Sequence, residues 1–461
     1  MIKKIVEFYK ISAPLEYTKG VNEIDEQKRY KRLRWSTFLA ATIGYSFYYV
    51  CRTSLNVVKK PIIENGVLDA KQLGYIGSAL LFTYAIGKFV NSFLADRSNI
   101  KRFMGTGLIV STFVNFLIGA LGFFKGYGYI SGVFFIGFAI LWGINGWGQS
   151  MGAGPSIVSL SRWFPKSERG TYYGFFSASH NLGEFLSFIF VGSIVSFAGW
   201  EWGFIGASLA GVAGVIIIIL FLHDNPESKG LHSIETLANE TTDKHNDFNS
   251  AQKDVLKNPY VWILALSSAF MYVSRYAING WGVLFLQEEK GFSLATATQI
   301  ISINALLGIV GTVFSGWFSD VLFKGKRNMP ALIFGILNTL SLLLFLLSGD
   351  ELWVNILSMA LFGIAIGVLI CFLGGLMAVD IVPRNASGAA LGIVGIASYI
   401  GAGLQDIVSG ILIENNKVLI ESSKGIDYYQ YHFEPAIIFW ITASIISFIL
   451  ATLVWKAKAK N

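Results

Sequence analysis

Residues 163–183 read WFPKSERGTYYGFFSASHNLG, and residues 381–401 read IVPRNASGAALGIVGIASYIG. Pro165, Gly170, Gly174 and Gly183 of the first stretch recur as Pro383, Gly388, Gly392 and Gly401 of the second, all at an offset of 218. Glycine is frequent in this chain, at 49 residues, so a single coincidence would carry nothing. Four collinear matches that include a proline mark an internal repeat. A second set agrees. Phe47-Tyr48-Tyr49-Val50-Cys51-Arg52 and Phe270-Met271-Tyr272-Val273-Ser274-Arg275 end in arginines 223 apart, while Asp96 and Asp320 stand 224 apart. The chain is built from two related halves.

The medium around those halves follows from composition. Of 461 residues, 53% are hydrophobic, 15% aromatic and 14% charged, and mean hydropathy is +0.55. Soluble domains carry about a quarter charged residues, so this chain lacks the polar surface to face water all round. A span needs about 20 mostly apolar residues, and helices satisfy their own backbone within the bilayer. Twelve such runs are expected, at Trp35–Ile62, Leu73–Leu94, Phe103–Phe123, Tyr129–Met151, Thr171–Phe197, Trp202–Leu222, Pro259–Phe285, Ala295–Ser319, Met329–Leu347, Leu352–Val379, Gly388–Ile413 and Pro435–Trp455. The reading is an all-α membrane protein of two pseudo-symmetric six-helix halves. Its parts are a cytoplasmic segment 1–34, an N-terminal half 35–223, a solvated linker 224–258 and a C-terminal half 259–461. The polar, basic start shows no signal peptide. Cys51 and Cys371 both fall in spans, so no disulfide framework is expected.

The net charge of +7 reports topology. With both termini cytoplasmic, 26 of the 36 Lys and Arg lie inside, as the positive-inside rule requires. Lys59, Lys60, Lys71, Lys125, Lys290, Lys417 and Lys424 are assigned outside, which leaves Arg52, Lys88 and Arg275 in the membrane. This pattern argues against nucleic acid as a partner and for the lipid bilayer.

A guanidinium at the centre of a bilayer costs roughly 3 kcal/mol on insertion scales, so it faces a cavity or a partner. Its planar fork can give two parallel hydrogen bonds to phosphate or carboxylate. Arg52 and Arg275, one from each half, therefore suggest a site for a small phosphorylated anion. Two arginines match a dianion, and the need to accommodate them without a ligand favours exchange of one anion for another. Lys88 is either a further ligand or part of an internal ion pair. His180 can sense or bridge substrate charge. Glu184, one turn beyond His180, and Asp406 are acids within spans: Glu184 with His180 either couples proton uptake or, the favoured reading, the acids balance the intramembrane cations. Tyrosines near both arginines offer hydroxyls on apolar rings. Asp96, with Arg97, and Asp320 end the second span of each half, where a carboxylate can pair with arginines and hold one conformation.

Resemblance sharpens these readings. Leu94-Ala95-Asp96-Arg97 and Gly316-Trp317-Phe318-Ser319-Asp320 resemble the loop motif between the second and third spans of the major facilitator superfamily. Asn145 to Gly152, Arg162-Trp163, Glu168 to Thr171 and Ser179-His180-Asn181-Leu182-Gly183 resemble the organophosphate:phosphate antiporter family. So do Tyr48 to Arg52, Tyr84 to Lys88, and Tyr272 to Tyr276 with Trp281. The resemblance runs in order from about Trp35 to Trp455. It implies that Arg52 and Arg275 bind phosphate, that Lys88 and His180 line the cavity, and that Tyr45, Tyr49, Tyr84, Tyr272 and Tyr399 do the same. The chain departs from the family at Gly152-Ala153-Gly154-Pro155-Ser156, Cys371-Phe372-Leu373, Gly280, Leu391 and Val394, positions that bear on which ester is carried.

The expected function is exchange of a phosphorylated sugar, such as a hexose 6-phosphate, or of a related monoester such as glycerol 3-phosphate, for inorganic phosphate. A monomer in the cell inner (plasma) membrane would perform it by alternating access. A membrane sensor that signals external hexose phosphate to a partner is the alternative. No nucleotide loop, metal cluster or nucleophile–base set is present, so an enzyme, a metal and a cofactor are not expected.

Overall fold

The computed structural model describes residues 2–15, 23–124, 131–237, 255–324, 327–382, 387–423, 426–455 and 457. The middle of the linker, at 238–254, and Pro383 and Arg384 of the repeat lie outside the described residues, and the side chain of Asp320 is not described. The helices are α1 Ile2–Tyr9, α2 Glu23–Glu64, α3 Ala70–Asp96, α4 Ile100–Gly122, α5 Ser131–Trp163, α6 Lys166–Ser177, α7 Ser179–Ala198, α8 Trp200–Phe221 and α9 Ile234–Leu237. After the linker come α10 Pro259–Glu288, α11 Leu294–Phe323, α12 Asn328–Leu347, α13 Leu352–Cys371, α14 Met377–Asp380, α15 Ser387–Asn415 and α16 Glu434–Leu453. Counting α6 with α7 and α13 with α14 as single rods, each half has six long rods. Ten of the twelve are long and apolar enough to cross a membrane. The other two, α2 and α5, are diluted by polar residues such as Arg52, Lys59, Asn145 and Gln149.

The bundle is apolar outside and polar within, as a lipid solvent dictates. Ile86, Phe89 and Phe93 of α3 and Leu209, Ile216 and Ile219 of α8 are exposed, whereas Asn115, Asn145, Gln149 and Asn355 are buried. Small residues let the helices approach closely. Gly199, at φ 96°, makes the one-residue turn between α7 and α8, a conformation that favours glycine.

Several expected boundaries move. Residues 23–34 form the first turns of α2, with Arg34 over the Phe164 ring at 4.9 Å and 3.0 Å from Glu168. The described start of the linker is built in. Asp224 is buried and accepts from Arg162 Nη1 at 2.5 Å, the Ile100 amide at 2.9 Å and the Ser12 amide at 2.8 Å. The fifth rod breaks at Ala178, and the tenth widens into a π-turn at Phe372–Leu376. A hairpin, β1 Lys417–Ser423 against β2 Ile426–Tyr431, joins α15 to α16.

The repeat is written into the packing. Gly183 abuts the Ser46 carbonyl on α2, and Gly401 abuts the Ala269 carbonyl on α10. Ser46 and Ala269 are 223 apart, the arginine offset, while the glycines keep their 218. Two contacts join the halves by the same rule. Gly74 of α3 meets Gly410 of α15, and Thr298 of α11 meets Gly192 of α7. Gly192 and Gly410 are again 218 apart, and Gly74 and Thr298 are 224 apart, the offset of the two aspartates.

These contacts lie on the face opposite the termini, and that face is closed. Lys60 of α2 is 2.8 Å from Glu288 of α10, and Glu414 of α15 accepts the Ala70 amide at 3.1 Å. On the terminal face, by contrast, a Cβ added at Gly170, Gly174, Gly316, Gly388 or Gly392 meets no described atom within 4 Å. Among the described residues the halves lean together on the far side, and on the terminal side these five glycines border open space.

Candidate functional site

Arg52 is positioned by donors aimed at its own helix. Asn115 of α4 and Asn145 of α5 donate to the Cys51 carbonyl at 2.9 and 3.2 Å, and Gln149 donates to the Tyr48 carbonyl at 2.8 Å. The other half has a counterpart. Asn338 of α12 donates to Ser274 Oγ at 3.4 Å and to Ser444 Oγ at 2.8 Å. Asn115 and Asn338 are 223 apart, as are Cys51 and Ser274. Each arginine thus follows a residue pinned by an asparagine. Sequence reading missed this pair, although the offset that related the arginines would have found it.

The expected site residues converge. The Arg52 guanidinium carbon lies 4.2 Å from the centre of the Tyr84 ring, 5.3 Å from Tyr49 and 5.4 Å from Tyr399. Its Nη2 donates to the Tyr276 hydroxyl at 2.9 Å, across the interface between halves. Arg275 lies 5.5 Å from the same Tyr276 ring and 5.8 Å from Tyr272. Lys88 lies 5.3 Å from the Tyr399 ring. Tyr399 packs on Tyr84 at 4.6 Å and on Tyr272 at 5.4 Å, and Tyr49 touches Tyr45 at 5.4 Å and His180 at 5.7 Å. Tyr276, quoted in a motif but not assigned to the cavity, is the ring that both arginines share.

Two buried atoms in this cluster have no hydrogen-bond partner among the described residues, Arg52 Nη1 and His180 Nε2. A buried guanidinium nitrogen without a partner is costly, so it points to a ligand acceptor. Cation faces and hydroxyls on apolar rings, in a low-dielectric setting, suit a phosphate group better than water does.

The acids are placed specifically. Glu184 of α7 is 2.9 Å from Arg275 Nη2 and accepts from Asn279 Nδ2 at 3.0 Å. Asp406 of α15 accepts from Trp281 Nε1 at 2.7 Å and sits 3.5 Å from Lys59 Nζ, which itself lies 3.3 Å from the Trp281 ring. Lys59 was expected outside. It is instead 1% exposed, so the buried cations number at least one more than the sequence suggested. It lies seven residues after Arg52, two helical turns on the same face, which carries it down the interface to Asp406.

Asp96 and Arg97 are exposed at the end of α3. Arg162 Nη2 donates to the Asp96 backbone carbonyl at 3.1 Å, while its ion pair is with Asp224. Among the described ion pairs none involves the Asp96 carboxylate.

Comparison with known proteins agrees with this architecture. Residues 41–405 match the Major Facilitator Superfamily. A probable hexose phosphate transport protein of Chlamydia pneumoniae is 32% identical over 412 residues, covering 83% of this chain and 87% of that protein. The membrane sensor protein UhpC of Salmonella typhimurium is 30% identical over 420 residues, covering 87% and 89%. The solved structure of a bacterial homolog to the human lysosomal transporter Spinster, inward-facing and unoccupied, has the same fold, with TM-score 0.72 at 17% identity over 93% of this chain and 99% of that one. A family profile over most of the chain and relatives that cover 83% and 87% of it leave one conclusion: this chain belongs to the Major Facilitator Superfamily and, within it, to the organophosphate:phosphate antiporter family.

Proposed function

We propose that this protein exchanges a phosphate monoester, a hexose 6-phosphate or a related ester such as glycerol 3-phosphate, for inorganic phosphate. The observation that carries the reading is Arg52 Nη1, a buried donor without an acceptor among the described residues, facing the interface that Arg275 lines from the other half. A monoester has a second pKa of about 6, so it brings one to two negative charges at neutral pH. Arg52 and Arg275, with Lys88 and His180 behind the tyrosines, receive the phosphate. The tyrosine hydroxyls receive the organic part. Rocking of the halves about this midplane site then exposes it to each side in turn.

In this reading the terminal face is cytoplasmic, the membrane is the plasma membrane, and the monomer is sufficient. Asp96, Arg97 and Asp320 hold the terminal face shut in the opposite conformation. Glu184 and Asp406 balance buried cations. The test is uptake of labelled glucose 6-phosphate by purified protein in vesicles loaded with phosphate. Uptake that is faster from vesicles loaded with phosphate than from vesicles loaded with chloride supports exchange, and competition by unlabelled phosphate outside supports a shared site. The relative that is a membrane sensor supports a second reading, in which ligand binds without flux. Binding of phosphate with no uptake would favour that reading.

A further inference from the structure

Both oxygens of the Glu184 carboxylate are held by the opposite half. Oε1 is 2.9 Å from Arg275 Nη2, and Oε2 accepts from Asn279 Nδ2 at 3.0 Å, one turn further along α10. Asn279 Oδ1 in turn accepts from Asn304 Nδ2 of α11 at 3.3 Å, so the receiving side is fixed. The side chains of Arg275 and Glu184 are 3% and 4% exposed. Arg52 has no such acid. Among the described residues its guanidinium bonds to a neutral phenol alone, and Nη1 is orphaned. The two arginines are related by the repeat yet differ in this respect, because the residue 218 after Glu184 is Ala402 and supplies no carboxylate.

We propose that Glu184 is a built-in counter-anion for Arg275, which lets the carrier reorient without phosphate and so gives net movement of the ester alongside exchange. This rests on the phosphate-ester reading above.

What the pair does follows from where it sits. An ion pair that joins the halves near a gate must break when that gate opens, as Lys60 with Glu288 must at the far face. Contacts at the midplane lie close to the axis of rocking and move least, so the Glu184–Arg275 pair can persist through the crossing. A buried arginine without an anion resists closure of the walls around it, since desolvating an unpaired charge is costly. Glu184 removes that penalty at one arginine. When phosphate arrives, Arg275 must share its donors between two anions or release the carboxylate to Asn279 alone. Glu184 therefore also competes with the ligand. Exchange stays the faster mode, because phosphate satisfies both arginines and the carboxylate only one.

The experiment compares two loadings of the same proteoliposomes, with membrane potential clamped. Wild-type protein takes up labelled glucose 6-phosphate from phosphate-loaded vesicles and, more slowly, from vesicles loaded with chloride alone. Glu184→Gln lowers the net mode by at least about tenfold relative to exchange, and the phosphate concentration for half-maximal exchange falls about tenfold, the scale of one charge-assisted hydrogen bond. Glu184→Asp restores net uptake. Wild-type exchange without net uptake overturns the proposal while leaving the exchange reading intact, and it does so even if the glutamine variant fails to fold. A glutamine variant with the wild-type ratio of net uptake to exchange overturns it as well. No uptake under either loading overturns the transport reading, and this proposal with it.

Discussion

Replacing Arg52 with glutamine separates ligand binding from stability, because the two should move in different directions. The wild-type guanidinium gives one hydrogen bond to Tyr276 at 2.9 Å and keeps Nη1 for a ligand. Losing one to two charge-assisted bonds to phosphate costs about 3 kcal/mol, or roughly two orders of magnitude in affinity and in exchange at subsaturating substrate. The unliganded protein behaves otherwise. Its three ring contacts are worth somewhat less than 1 kcal/mol each where water reaches them and more where it does not. Against them stands the penalty of a buried cation with no counter-anion. These nearly cancel, so the melting temperature without phosphate should be unchanged or higher. Wild-type protein should gain about 2.7 kcal/mol at phosphate 100 times its dissociation constant, and Arg52→Gln should show almost none of that gain at the same concentration. Thermal melts of detergent-purified protein across a phosphate titration, paired with vesicle exchange, test both halves. A variant whose melting temperature still rises with phosphate as in wild type, and whose exchange stays within about threefold, would refute the assignment of the orphaned nitrogen.

Three further outcomes are expected. Lys59→Met leaves Asp406 buried with Trp281 as its one donor among the described residues and should cost about 3–5 kcal/mol, while Lys59→Met with Asp406→Leu should recover most of it; chemical or thermal denaturation reads both. Gly410→Leu should prop the far face open, because its Cβ would lie 2.7 Å from the Ala70 carbonyl and 3.1 Å from Gly74 Cα; a Val283→Cys probe in a cysteine-free background should then react faster with an impermeant maleimide from that face. His223, in the turn after α8, is pushed down to about 4 by burial, with Lys229 and Lys101 adding repulsion. Since the unfolded chain binds that proton near 6.5 and the folded chain does not until about 4, stability should fall as pH drops through this window. The loss is about 1 kcal/mol after allowance for solvent screening, and it should vanish in His223→Asn when melts are compared across pH.

Much of this was legible in the chain because the bilayer leaves few choices. Long apolar runs had to be helices, and two offsets, 218 and 223, were enough to set six rods against six. The same arithmetic placed Arg52 and Arg275 opposite each other. What the sequence hid was partnership. Lys59 looks like a loop lysine, since it lies near Pro61 at the polar end of a span. Only the approach of α15 reveals that Asp406 is waiting for it. Glu184 could be counted as a balancing charge, but nothing in spacing chose Arg275 over Lys88 or Arg52. The Asp224 cluster was likewise invisible, because a lone aspartate in a polar stretch reads as solvated until Ile100 and Ser12 bring their amides to it. Side-chain choice among several equidistant partners is a tertiary matter, and one-dimensional periodicity carries no record of it.

The modest apolarity of α2 and α5 has a consequence for how the protein is made. Arg52 and Lys59 would each add roughly 3 kcal/mol to the insertion of α2 if that helix entered lipid alone. The acid that neutralises Lys59 stands 347 residues later, and the Tyr276 hydroxyl that receives Arg52 stands 224 residues later. The first span of the N-terminal half is thus among the last to be fully satisfied. During synthesis it must shelter against α7 and α8, or in the insertion machinery, until α10 and α15 arrive. The N-terminal half, although built as a complete six-rod unit, matures only when the whole chain is present, and a truncation before α15 should leave it exposed to membrane quality control.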